Sequence, residues 1–275
     1  MIHAETYETF IAYFDVLGYK AFFEDKENDI SKFLANSLSL VEDTRNIAKQ
    51  SEESISIQYK LFSDNCILVI RFDDSSYRKA FQQLVDKVAY LQMKFLKDYR
   101  IPIRGAVTKG QIFVNNDIVF GSGLITAEKL ERVEAQYPRI IIDSSLGESF
   151  DLSKYKLIKK DYDGKYYIDF FSLLKVSNVY SPEREEKTAI CKMRDSVFYL
   201  VEKYGHYDNR FKDREKIEES GKTILKYLWL LMKYNEYVSE RKIPVHIRYQ
   251  IGVNEKFLRF EIDEVKKDTW PVILN

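Results

Sequence analysis

Between Phe10 and Gly110 the apolar residues change period in a fixed order, and that order restricts the fold more than any other feature of the chain. Residues 10–17 (FIAYFDVL) are aromatic and β-branched with no helical period, which reads as a buried central strand, and Gly18 allows a turn directly after it. Apolar residues then recur three and four apart over 30–49 (Phe33, Leu34, Leu38, Leu40, Val41, Ile47), and a shorter helix is expected around 19–24. Residues 54–60 alternate and 66–72 (CILVIRF) are almost continuously apolar, while Ser63-Asp64-Asn65 between them has turn chemistry. A hairpin with Asp64 at its tip follows. Helical spacing returns over 77–96 (Ala80, Phe81, Leu84, Val85, Val88, Leu91), and Pro102 opens a strand over 103–110.

Strand, helix, helix, strand, strand, helix, strand is a ferredoxin-like order (βααββαβ), so the fold class expected is α+β. A second short hairpin (112–114, then 118–120) leads through Gly121-Ser122-Gly123 into a helix over 124–135 and a strand over 139–142. After an alternating stretch over 155–171, residues 176–186 with Pro182 read as a linker. Charged, aromatic helical segments follow over 188–204 and 213–240. The expected organisation is one α+β domain over 1–175 and a mainly helical C-terminal extension over 183–275, packed on it. Short alternating runs at 245–251 and 257–262 can add a strand or two.

Composition narrows function by exclusion. Lys plus Arg and Asp plus Glu both total 43, so no global basic excess announces a nucleic-acid partner. Cys66 and Cys191 stand in no CxxC spacing and there are three histidines, which makes zinc improbable and reduced, buried thiols the expectation. No apolar stretch approaches the roughly 20 residues of a membrane span, and the N-terminus lacks a leader pattern, so a cytoplasmic protein is expected. The twenty tyrosines and eighteen phenylalanines fall mostly at core-period positions such as Phe10, Phe14, Phe81 and Phe95, which favours packing over base stacking. The run Tyr227-Leu228-Trp229-Leu230-Leu231-Met232 likewise reads as a buried helix.

Two carboxylates stand out against that background. Asp15 ends the first strand and Asp64 tips the hairpin, and if their strands are neighbours both face one point, as a divalent-metal site for a nucleoside triphosphate requires. With Lys60 four residues before Asp64, and Arg104 to Glu131 downstream, these residues look like the catalytic domain of class III nucleotidyl cyclases. That pattern is aromatic-x-Asp-aliphatic-x-Gly at a strand end, Lys-x-x-Gly-Asp at a hairpin, and a later Gly turn into a helix. The resemblance covers roughly the first half of the chain. Arg104-Gly105-Ala106-Val107, Phe120-Gly121, Ala127, Leu130-Glu131 and Tyr137-Pro138-Arg139 resemble a divergent bacterial branch of cyclase-like proteins.

The resemblance implies that Asp15 and Asp64 hold two Mg²⁺ or Mn²⁺ ions, that the amides of Val16, Leu17, Gly18 and Tyr19 cradle phosphates, and that Lys60 and Ser122 contact the base. Ser122 stands where adenylyl cyclases have an acid, which leaves the base open. It departs further at Ile125 and Lys129, where the family has the Asn and Arg that stabilise the transition state. Lys129 keeps the charge and loses the planar fork, and Ile125 has no side-chain donor. Replacement stabilisers are Arg104, Lys109 or Arg139, although Arg104 and Arg139 can equally be structural partners of Glu128 or Glu131. The implied activity converts a nucleoside triphosphate to a cyclic nucleotide second messenger and pyrophosphate, with bacterial defence as one setting. The implied assembly is a head-to-tail homodimer in which Lys60, Ser122 and Lys129 come from the other subunit. Two alternatives stay open: a catalytically degenerate nucleotide-binding or regulatory module, and a synthase of cyclic dinucleotides.

Overall fold

The computed structural model describes residues 5–18, 56–62, 65–115, 118–174, 189–205 and 214–241, together with Ser31 and Glu42. The strand β1 (Tyr7–Val16) lies between β3 (Asn65–Arg71) and β4 (Ile103–Val114), antiparallel to both. Pairing on both edges and burial on both faces is why FIAYF carries no polar alternation. The strand β2 (Ser56–Phe62) closes the hairpin with β3 at the sheet edge, and α1 (Tyr77–Tyr99) connects β3 to β4. The resulting order β2-β3-β1-β4 is a ferredoxin-like arrangement. The two helices expected between the first and second strands fall outside the described residues, apart from Ser31 and Glu42, which are helical.

Past the core unit, β4 runs on to pair with β5 (Val119–Phe120), and α2 (Ser122–Glu134) then carries the chain to β6 (Ile140–Ile142), parallel to β4. A parallel neighbour needs a crossover, and α2 is that crossover. The strands β7 (Ile158–Lys160) and β8 (Tyr166–Ile168) form the last hairpin, giving β4-β6-β8-β7 on that side of the sheet.

Strand side chains alternate between faces. Phe10, Ala12 and Phe14 with Cys66, Leu68 and Ile70 meet Phe81, Leu84, Val85 and Val88 of α1 in the main core. Ile11, Ile67, Val69 and Ile112 point the other way, onto Ala127 of α2. The aromatic richness goes into packing, as expected: Phe81 stacks on Phe150 at 4.3 Å and Phe10 on Phe72 at 4.6 Å between ring centroids. Both cysteines are buried and free, and burial pushes the Cys66 thiol up to about 12, which leaves it a small hydrophobe.

Two long helices, α3 (Ala189–Tyr204) and α4 (Arg214–Glu240), cover the same face as α1. Ile190, Val197, Leu230, Tyr234 and Val238 belong to the core cluster that contains Phe10 and Phe14. Of the run that reads as a buried helix, Tyr227, Trp229, Leu230 and Leu231 are buried, while Leu228 is exposed. Tyr237 fastens the end of α4 by donating its hydroxyl to the Leu174 carbonyl at 2.6 Å. The linker over 176–186 and the runs at 245–251 and 257–262 lie outside the described residues.

Gly105 marks the closest approach of β4 to β1. A Cβ there would stand 2.2 Å from the Tyr13 carbonyl oxygen and 2.5 Å from Phe14 Cβ, contacts that backbone cannot relieve without moving a strand. Gly105→Ala is expected to lower unfolding stability by about 1–3 kcal/mol, the usual range for overpacking. Urea denaturation checks it, and an unchanged midpoint would contradict the assigned strand contact.

Candidate active site

Asp15 is the penultimate residue of β1, so its position follows from where the central strand stops. The register pairs Asp15 with Asn65 on one side and with Arg104 on the other, and strand alternation sets all three on the α2 side of the sheet. Asn65 is the first residue of β3 and is bonded to Asp64, which itself lies outside the described residues. Lys60 belongs to β2, opposite Ile67. Tyr13 donates its hydroxyl to Asn65 Oδ1 at 2.6 Å and so steadies the start of β3 beside Asp15.

Arg104 reaches Asp15 as a fork, with Nε 3.1 Å from Oδ1 and Nη2 3.3 Å from Oδ2. Glu131, from the last turns of α2, brings Oε1 to 2.9 Å from the same Nε. That contact is an ion pair without a hydrogen bond, because the single hydrogen on Nε points at Asp15 and Glu131 Oε1 is left as a buried acceptor with no partner. Burial, with the Asp15 charge next, pushes the Glu131 carboxyl up to about 7 against the opposing pull of Arg104. For Arg104, burial opposes the charge, but the Asp15 hydrogen bond and charge outweigh it and hold the guanidinium firmly protonated.

The phosphate cradle expected after Asp15 is partly committed elsewhere. Val16 pairs with Ile103 in the ladder, and the Leu17 amide donates to the Pro102 carbonyl at 2.9 Å. Gly18 takes φ +80°, the left-handed conformation that favours glycine. A Cβ on it would lie 3.5 Å from the Tyr227 hydroxyl of α4, and Tyr19 is outside the described residues.

On α2, Ser122, Ile125 and Lys129 are all exposed, with Ile125 68% accessible. Exposed Ile118 and Phe120 precede them.

Arg139 departs from expectation. Instead of facing phosphate, or pairing with Glu128 or Glu131, it is fully buried, with Asp161 and Asp163 as its ion-pair partners. Trp229 Nε1 donates to Asp161 Oδ2 at 2.8 Å and Lys233 Nζ stands 2.9 Å from Asp161 Oδ1, so this cluster pins α4 to the sheet; Arg139 Nε has no hydrogen-bond partner, but it is buried. Arg104, by contrast, has the Glu131 partner anticipated for it and Asp15 in addition.

Glu131 is the residue of the site to which sequence reasoning gave no role beyond pairing. The buried positions of α2 are Gly123, Ala127 and Glu131, four residues apart, so a carboxylate on the buried stripe was the available signal. Among the described residues no three or more His, Cys, Asp or Glu side chains converge on one point. The donor chemistry of Asp15 nevertheless suits a hard divalent cation, since this carboxylate already holds a cation in the form of a guanidinium.

No protein family and no curated protein matches the chain. The solved structures that resemble it include adenylyl and guanylyl cyclase catalytic domains. The catalytic core of a rhodopsin-guanylyl cyclase with converted specificity, in complex with ATPαS, aligns at TM-score 0.42 and 17% identity over 61% of this chain and 98% of that one. An adenylate/guanylate cyclase/hydrolase from Silicibacter pomeroyi gives 0.41 and 16% over 60% and 96%. A class III adenylyl cyclase-like ATP-binding protein from Pseudomonas aeruginosa gives 0.42 and 12% over 60% and 39%. Likeness at such scores transfers no activity. Among the described residues no helix is long and apolar enough to cross a membrane.

Proposed function

We propose that the chain is a divalent-metal-dependent nucleotidyl cyclase that closes a nucleoside triphosphate to a cyclic nucleotide and pyrophosphate. The observation that carries this reading is the register: Asp15, at the end of the central strand, is paired with the residue bonded to Asp64. Asp15 and Asp64 would hold the metal, which when bound supplies an activated ribose 3′-hydroxyl and a clamp on the triphosphate.

The chain's own residues do the rest. Lys60 and Ser122 orient the base, the turn at Gly18 lets backbone approach the phosphates, and Lys129 places positive charge on the reacting phosphoryl group. In a single chain Ser122, Ile125 and Lys129 face solvent, which suits a second copy of the chain whose Asp15 and Asp64 they would complete. The exposed apolar side chains Ile118, Phe120 and Ile125 around Ser122 support the same homodimer. Arg139 has no part in it, and bacterial defence signalling is a setting the chemistry permits.

Pyrophosphate release from ATP, GTP, CTP and UTP in Mn²⁺, compared with Asp64→Ala, tests the reading. Metal-dependent release lost in the variant is expected, and product mass separates a cyclic mononucleotide from a cyclic dinucleotide. The second reading, a non-catalytic nucleotide-binding module, is favoured by Ile125, which has no side-chain donor where the resemblance expects one. It predicts nucleotide-induced thermal stabilisation with no turnover from any of the four.

A further inference from the structure

Three ionisable groups share the corner between β1, β4 and α2. Arg104 faces two carboxyl groups, Asp15 and Glu131, and all three are largely withdrawn from water, with side-chain exposures of 23%, 17% and 8%. The Arg104 Nε hydrogen is spent on Asp15 at 3.1 Å. Glu131 Oε1, nearer to the same nitrogen at 2.9 Å, is a buried acceptor with no hydrogen bond. An unpartnered buried acceptor is expensive, and here its donor is already within reach but turned away.

We propose that Arg104 is an exchangeable counter-ion, which holds Asp15 in the metal-free chain and turns onto Glu131 when a divalent cation takes the Asp15 carboxylate. The proposal rests on the reading of Asp15 as a metal ligand. Glu131 is then a positioning residue: it touches neither metal nor nucleotide and acts through the guanidinium. The geometry asks little of the exchange, since Nε is in contact with both acceptors and a reorientation of the guanidinium transfers its hydrogen. In the exchanged state Glu131 gains the hydrogen bond it lacks and Asp15 is released to the cation. Without Glu131 an incoming metal would have to displace an arginine left unpaired in a half-dry pocket, a strongly unfavourable state.

Mn²⁺ binding to the full chain, followed by the electron paramagnetic resonance of free Mn²⁺, tests the exchange without reference to turnover. Wild type is expected to bind Mn²⁺ and Asp15→Ala to lose it. Arg104→Ala is expected to bind about tenfold more tightly, because the competing state is removed, and Glu131→Gln about tenfold more weakly. In the Arg104→Ala background Glu131→Gln is expected to change nothing, since its effect runs through the arginine. Equal weakening in both backgrounds would make Glu131 a ligand and overturn the proposal, as would weaker binding in Arg104→Ala.

A second measurement needs no folded Arg104→Ala protein. The ¹⁵Nε–H resonance of Arg104, assigned by its loss in Arg104→Lys, is expected to shift in step with Mg²⁺ occupancy in wild type and to stay fixed in Asp15→Ala. A stationary resonance while Mg²⁺ binds through Asp15 removes the exchange and leaves the metal site standing. Wild type that takes up no metal removes both.

Discussion

Asp15→Asn is expected to abolish metal-dependent turnover while leaving the fold intact. On the proposed reading, loss of the carboxylate removes a metal ligand and a full negative charge from the reacting centre. Several kcal/mol of transition-state stabilisation go with it, so a fall of at least about a thousandfold in kcat is anticipated. Folding is insulated because Arg104 keeps Glu131 at 2.9 Å and the asparagine can still accept a hydrogen bond. The guanidinium therefore keeps a counter-charge in this largely dry corner, and the melt is expected to move little. Steady-state pyrophosphate release and a thermal melt on the same sample separate the two effects. Retained turnover with a normal melt would sink the assignment of Asp15. A collapsed melt would instead make it a structural residue.

The largest effect on stability is expected at Asp161. Its carboxylate accepts from Trp229 at 2.8 Å and faces Lys233 at 2.9 Å, and it is an ion-pair partner of Arg139, whose side chain is 0% exposed. Burial alone would raise its pKa, but the Lys233 hydrogen bond and the Arg139 charge outweigh burial and hold it below the ordinary carboxylate value. Asp161→Ala leaves buried cations short of a counter-charge, and breaking such a pair typically costs about 3–5 kcal/mol. Asp163 and Glu236 remain for Arg139 and Lys233, which sets the expectation near the lower end, about 3 kcal/mol. Urea denaturation followed by tryptophan fluorescence measures it, and a loss below about 1 kcal/mol would show that the cluster is dispensable.

The pH dependence of the same cluster has a definite sign. A carboxyl whose folded pKa is depressed contributes stability that is complete above its unfolded value of about 4. That contribution is lost as pH falls through the lower, folded value. Wild type is therefore expected to lose stability below about pH 4 more steeply than Asp161→Ala.

The central strands were legible because β1 is paired on both edges and buried on both faces, so FIAYF could be neither a helix face nor an edge strand. The α2 helix was legible from the Gly121-Ser122-Gly123 turn and emerged with bounds close to those expected. The Asp15–Arg104 pairing was not, since it needs the β1–β4 register, which spacing along the chain does not contain. Arg139 misled for a related reason. Tyr137-Pro138-Arg139 has the chemistry of a surface turn, and the partners that bury the arginine arrive 22 and 24 residues later, by way of β7, β8 and a helix still further along. Glu131 could have been found, because Gly123, Ala127 and Glu131 mark one helix face.

The place of the Tyr227 hydroxyl beside the Gly18 turn bears on how far this chain can be shortened. The sequence resemblance to cyclases covers roughly the first half of the chain, which invites a truncation near residue 175. Such a fragment would lose the hydroxyl that stands 3.5 Å from the Gly18 Cβ position, the Trp229 and Lys233 partners of Asp161, and the Tyr237 bolt on Leu174. It would also bare the face of α1 that α3 covers, where Ser196 is hydrogen-bonded to the Lys97 carbonyl at 3.0 Å. The smallest piece that keeps a wall behind the turn after Asp15 therefore runs past Tyr237, and the part of the chain least like a cyclase is the part that backs the proposed active site.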